Sequence, residues 1–125
     1  MSKYLAIALG GALGSLARFG VGSFVANRLG TRFWYGTLCV NISACIILGF
    51  AMTVLGRRVD LNPLWRYLVP IGFVGAYSTF STFEWEIFSG LEMRAFLLSS
   101  IYLVASILTG LVGVWLGAAL GKSTS

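Results

Sequence analysis

From Gly72 to Phe83 the chain reads Gly-Phe-Val-Gly-Ala-Tyr-Ser-Thr-Phe-Ser-Thr-Phe, a doubled Ser-Thr-Phe behind two glycines. Ser78, Thr79, Ser81 and Thr82 thus put four hydroxyls into an otherwise apolar stretch. In hydrocarbon an unpaired polar group costs several kcal/mol, so polar, interrupted backbone is tolerated only where protein buries it or where it lines a pathway. Pro70, Gly72 and Gly75 weaken a helix just ahead of the repeat and free backbone groups near mid-membrane. Carbonyls freed in this way suit a cation; amides and hydroxyls suit an anion. Phe80 and Phe83, three residues apart, project from roughly one helix face. Their ring edges carry partial positive charge, and beside hydroxyl donors they can stabilise a dehydrated anion without a fixed cation to trap it. A single phenylalanine in a membrane is usually plain packing, so the rings count only together with the hydroxyls.

Two further polar surfaces share this chemistry. Thr37 and Asn41 stand at i and i+4 on one helix face, and the Asn41 amide is a donor well inside the segment. Ser99, Tyr102, Ser106 and Thr109 advance by three or four residues and make a hydroxyl stripe. Such a stripe can guide an ion, although for serine and threonine the commoner role is to join helices.

The elements that must position these residues are membrane spans. The 125 residues are 58% hydrophobic and 10% charged, with a mean hydropathy of +0.88, which describes a membrane protein rather than a soluble domain. Apolar stretches over Tyr4 to Asn27, Tyr35 to Leu55, Trp65 to Gly90 and Ala95 to Leu120 are each near the roughly 20 residues that a spanning helix needs. The expected fold is an all-α membrane protein of four transmembrane helices with a broken third helix, forming one domain over residues 1–125. The short connections leave no room for a soluble active site. Lys3 and the apolar run behind it imitate a signal peptide, but cleavage would leave an odd number of spans, so the run is expected to be retained.

Charge and glycine patterns bear on assembly. With four spans, Lys3, Arg57, Arg58, Arg66 and Lys122 share one side and Arg28, Arg32 and Arg94 the other, a bias too weak to fix orientation. Either a single topology or insertion both ways up is compatible with it, and the second invites an antiparallel dimer. The net charge of +5 is scattered over helix ends, which suits headgroups of the lipid bilayer and not nucleic acid. Gly10-xxx-Gly14 and Gly113-xxx-Gly117-xxx-Gly121 permit close backbone approach and favour a compact, oligomeric assembly. Cys39 and Cys45 are six residues apart on one helix, about 9 Å of rise, too far to bridge to each other.

No catalytic constellation is present in the sequence. Histidine is absent, the cysteines lack metal-ligand spacing, and Glu84 and Glu86 diverge by roughly 200° around a helix. The readings left are a channel, a proton-coupled small multidrug carrier and a non-transporting membrane subunit. The carrier would place its intramembrane acid in the first span, and that span has none.

The Gly-x-x-Gly segment ending in Thr-Phe-Ser-Thr-Phe, Arg18 closing a first span that carries Gly10, Gly11 and Gly14, and Gly36-Thr37-x-x-Val40-Asn41 together resemble the CrcB/Fluc fluoride-channel family over nearly the whole chain. The resemblance implies a dual-topology, antiparallel homodimer with two pores, passive and selective for fluoride over chloride. It implies export of cytoplasmic fluoride down its electrochemical gradient across the inner (plasma) membrane, with resistance to fluoride as the outcome and no enzymatic activity. By position it assigns Asn41, Phe80 and Phe83 to the pore, Tyr102 and Ser106 to a polar track, and Arg18 to a vestibule that attracts anions. Fluoride would shed water against Asn41 and the hydroxyls of Ser81 or Thr82. The backbone carbonyls of Gly75 and Ser78 match a structural sodium site shared by both copies at the dimer axis.

Several positions depart from the family pattern. Gly110 leaves the next rung of the polar track without a side chain, and Thr109 is the neighbouring candidate to fill it. Ala44, Ala76 and Tyr77 replace residues usual there, and Glu84 sets an acid directly behind Phe83, whereas Glu86 matches an acidic position of the family.

Overall fold

The computed structural model describes residues 1–124, and among these the regular elements are all helical. Helix α1 (Lys3–Leu29) starts where the Ser2 hydroxyl accepts the Leu5 N–H at 3.2 Å. It stops at Gly30, whose φ of 85° turns the chain while its N–H returns to the Ala26 carbonyl. Helix α2 is Tyr35–Arg57 and α6, the last, is Phe96–Thr124. With 27, 23 and 29 residues, these three are long and apolar enough to cross a membrane.

The segment between α2 and α6 is assembled from shorter pieces. Helix α3 (Leu64–Arg66) runs into a π-helical segment, Tyr67–Val74, and on into α4 (Gly75–Tyr77); after a break, α5 covers Phe80–Glu92. The break is not at Pro70, Gly72 or Gly75, as the sequence suggests. The helix runs through Pro70 in π-helical register, in which N–H groups pair five residues back rather than four. The chain instead departs from helical geometry at Ser78 (φ −75°, ψ 154°) and Thr79 (φ −145°, ψ 114°), inside the Ser-Thr-Phe repeat.

Asn41 holds that break. Its Nδ2 donates to the Thr79 carbonyl at 3.1 Å and its Oδ1 accepts the Thr79 N–H at 2.9 Å, so α2 supplies both partners that an extended residue needs. Thr79 in turn caps α5, its hydroxyl accepting the Thr82 N–H at 3.2 Å. On the other side Tyr77, buried and stacked on Phe73 at 5.4 Å, shares a 2.8 Å hydrogen bond with the Ser43 hydroxyl of α2. Tyr77 and Ala44, two of the departures from the family pattern, thereby lie in the same core cluster with Val40 and Val74.

Backbones approach closely at the glycines. A methyl at Gly10 or Gly14 would collide with the carbonyls of Leu68 or Phe73, and one at Gly117 or Gly49 with those of Ile46 or Val114. The two glycine repeats, expected to favour contact between copies, therefore seat α1 on the π-helical segment and α6 on α2 within one chain.

Gly117→Ala is expected to destabilise the folded chain by about 1–3 kcal/mol through this clash. Gly56→Ala, where nothing lies within 4 Å, should be neutral or stabilise by about 0.5–1 kcal/mol. Thermal unfolding in detergent, followed by circular dichroism, separates the two. In the same assay Asn41→Ala, which orphans the N–H and C=O of Thr79, should cost about 2 kcal/mol or more. Asn41→Asp keeps the acceptor for the N–H and should fall between the alanine variant and the parent.

Candidate functional site

The break and its surroundings enclose a groove of about 280 Å³ lined by Asn41, Cys45, Ser78, Thr79, Phe80, Phe83, Ser106 and Ile107. Three elements build it: α2 contributes the asparagine and the cysteine, the break and the first turn of α5 contribute two hydroxyls and two rings, and α6 contributes Ser106. Six residues singled out in the sequence, Asn41, Ser78, Thr79, Phe80, Phe83 and Ser106, thus meet in one place. The two rings lie 6.2 Å apart, centroid to centroid. Phe83 is buried, whereas Phe80 is 74% exposed on a single chain.

Tyr102 is wholly buried at the edge of this site and is boxed by aromatic rings. Phe83 meets it edge-on at 5.1 Å, Phe33 edge-on at 5.4 Å, and Trp34 at 4.9 Å. Beyond it the carboxylate of Glu86 comes near the hydroxyls of Thr37 and Tyr102, and Thr37 and Glu86 line a second hollow of about 230 Å³ beside Gly22, Gly30, Trp34 and Gly36. Thr37 and Glu86 are thereby added to the polar row. The i, i+4 relation to Asn41 flagged the first, but nothing local in the sequence shows that the second turns inward to meet it.

Along this row the shielded Ser99 Oγ and Ser106 Oγ reach no hydrogen-bonding geometry with another group in the described structure, whereas Glu86, Thr37 and Tyr102 lie within reach of one another. Buried polar atoms are nearly always paired, which sets the Ser99 and Ser106 hydroxyls apart from the rest of the row. Asn41 is different: one of its two amide protons already serves Thr79, which leaves a single N–H for a guest.

Other expected residues lie apart. Ser81 and Thr82 are exposed on α5 and do not line the groove. Arg18 is half-buried on α1 and is likewise outside the lining. Glu84 is exposed, away from the groove that its sequence position seemed to threaten. Thr109 is exposed with its hydroxyl given to the Ala105 carbonyl at 2.5 Å, so it does not fill the place left by Gly110.

The break also leaves acceptors. In a continuous helix the Thr79 N–H would serve the Gly75 carbonyl and the Thr82 N–H the Ser78 carbonyl. Both donors are diverted, to Asn41 and to the Thr79 hydroxyl, so these two carbonyls lose their regular partners. Gly75 is exposed on a single chain. Carbonyls of this kind are fitting ligands for a hard alkali cation.

A family model described as "CrcB-like protein, Camphor Resistance (CrcB)" matches residues 5–118. A protein of Acidobacterium capsulatum named fluoride-specific ion channel FluC is 48% identical over 120 residues, which is 96% of this chain and 96% of that protein. Proteins with the same name from Solibacter usitatus and Chloroflexus aurantiacus are 43% and 38% identical, covering 96% and 98% of this chain and 98% and 97% of their own lengths. With the model spanning almost all of its helical residues and relatives matching it end to end, the chain belongs to the CrcB family.

Proposed function

We propose that this multi-pass membrane protein is a fluoride-selective channel, not an enzyme, that lets cytoplasmic fluoride leave passively across the inner membrane and so confers resistance to it. The observation that carries the reading is the groove at the helix break, where an unpaired Ser106 hydroxyl, an Asn41 amide with one N–H uncommitted and two phenylalanine rings line one small space. Fluoride is small, and losing its water demands several donors at once. Neutral donors replace that water without a fixed cation, so binding stays weak enough for release. The N-terminus of α5 opens at the same break, and its positive dipole end favours an anion there. The relatives bearing the fluoride-channel name supply the identity of the ion.

The working unit is an antiparallel, dual-topology homodimer. On one chain the groove is open on one side, with Phe80, Ser81 and Thr82 exposed beside it, and a second copy would close the wall. The near balance of basic residues between the two sides allows each copy to insert either way up. Tyr102 and Ser106 continue the pathway along α6, and Arg18 draws anions to its mouth. The carbonyls of Gly75 and Ser78 from both copies would hold one structural sodium ion at the dimer axis, neutralising the carbonyl ends of α4 so that the copies can meet there; the cation stays in place and does not travel with fluoride.

Purified protein in liposomes, with a potassium ionophore clamping the voltage, should release fluoride rapidly and chloride not at all. Release of both ions, or of neither from folded dimer, would sink the reading. Phe80→Ile should lower fluoride efflux by at least about tenfold, the equivalent of about 1.4 kcal/mol of lost barrier stabilisation, while the dimer survives size-exclusion chromatography. Exchange of sodium for N-methylglucamine should lower the thermal midpoint of the dimer, and an imposed sodium gradient should leave the direction of fluoride flow unchanged.

A further inference from the structure

The hydroxyl stripe of α6 has a gap in it. Ser99, Tyr102 and Ser106 follow one another at three and four residues, and the next position on that face is Gly110, which brings no side chain. Thr109 does not compensate, because it is exposed and bonded to Ala105. What faces Gly110 is the thiol of Cys45: a Cβ at Gly110 would stand 3.4 Å from Cys45 Sγ, with no other atom outside its own helix surroundings within 4 Å. Cys45 lies one helical turn beyond Asn41 on α2 and shares the lining of the groove with Asn41, Phe83 and Ser106. Its thiol forms no disulfide.

A second observation points to a guest at this place. The Ser106 hydroxyl, which belongs to the lining of the same groove, is shielded from solvent and reaches no partner among the described residues. Unpaired donors facing a small space are costly unless an acceptor visits them. A small anion is such an acceptor, and the thiol is the group it meets next when it passes Ser106 towards Gly110.

We propose that Cys45 is a residue of the anion pathway, its S–H taking the place of the rung that Gly110 leaves empty. The inference rests on the channel reading and deepens it. A thiol is a weaker donor than a hydroxyl, so it hands on a dehydrated fluoride without holding it, and glycine at position 110 sets no side chain against the sulfur. A corollary is that a group attached to the sulfur stands in the pathway.

The test uses full-length protein in liposomes: the parent chain, Cys45→Ala, Cys45→Ser, and Cys39→Ala as the control for the other thiol. Cys45→Ala should lose about three- to tenfold of fluoride efflux, the equivalent of one modest hydrogen bond, and Cys45→Ser, which restores a donor, should recover it. Methylmercury chloride forms an S–Hg bond at the thiol, releasing the thiol proton and chloride. It should abolish efflux in the parent and in Cys39→Ala and leave Cys45→Ser conducting. Cys45→Ala efflux equal to the parent's, or mercurial block that persists in Cys45→Ser, would overturn the assignment while the channel reading stands. If Cys45→Ala fails to elute as folded dimer, the mercurial comparison between the parent and Cys45→Ser decides alone. A parent protein that conducts no fluoride removes the channel reading itself, and this inference falls with it.

Discussion

A backbone that leaves the helix inside a membrane must find partners for its amide and carbonyl in the protein itself, and Asn41 is the partner on which this structure turns. By taking both groups of Thr79, it makes a non-helical residue tolerable at depth and fixes the distance between α2 and the third span. Everything at the groove follows from that distance. Thr79, held extended, can cap α5; α5, started there, buries Phe83 against Tyr102; and Ser106 joins Asn41 in the lining of one groove. The same residue is thus both a strut and a lining group, and it can be both because a primary amide has two N–H donors and only one is committed.

The close glycine contacts serve the same end. With α1 seated on the π-helical segment and α6 on α2, the chain becomes two tightly joined pairs of helices, and the polar row draws its side chains from α2, α5 and α6. Larger residues at the contacts would push α6 outward and separate Ser106 from Asn41. The π-helical pairing through Tyr67–Val74 has a related effect. It carries the helix past Pro70 and postpones the interruption to Ser78–Thr79, which is where Asn41 can reach it.

Much of this was legible in the sequence and some was not, for physical reasons. Hydropathy and length marked α1, α2 and α6, because bilayer thickness leaves little freedom for a spanning helix. The polar character of the Ser-Thr-Phe repeat marked the broken span. The position of the break depended on a hydrogen bond between residues 41 and 79, and glycine and proline, which report only local stiffness, pointed several residues too early. Glycine spacing announced close approach but is silent about the partner, and the partners are helices of the same chain. Thr109 looked like the natural successor to Ser106 because helical spacing of three and four is degenerate; only its bond to Ala105 shows that it faces elsewhere.

Where one helix ends and the next begins, opposite partial charges are brought together. The carbonyl end of α4 presents acceptors at Gly75 and Ser78, while the amide end of α5 presents donors beside the groove. A continuous helix at this depth would offer neither, since every interior group would be paired along the axis. Breaking the span at a single point therefore creates two sites of opposite preference with little separation, and the side chains decide which is used for what. On the acceptor side Gly75 has no side chain and is exposed on the single chain, which leaves its carbonyl open to a neighbouring copy or a cation. On the donor side aromatic rings and hydroxyls line a narrow space. A large, weakly hydrated anion gains little from such a space, because its charge is diffuse and its bulk displaces the rings; a small one can exchange its water for edges and hydroxyls of matching reach. Selection by size and donor geometry then needs no positive residue in the wall, and none lines the groove.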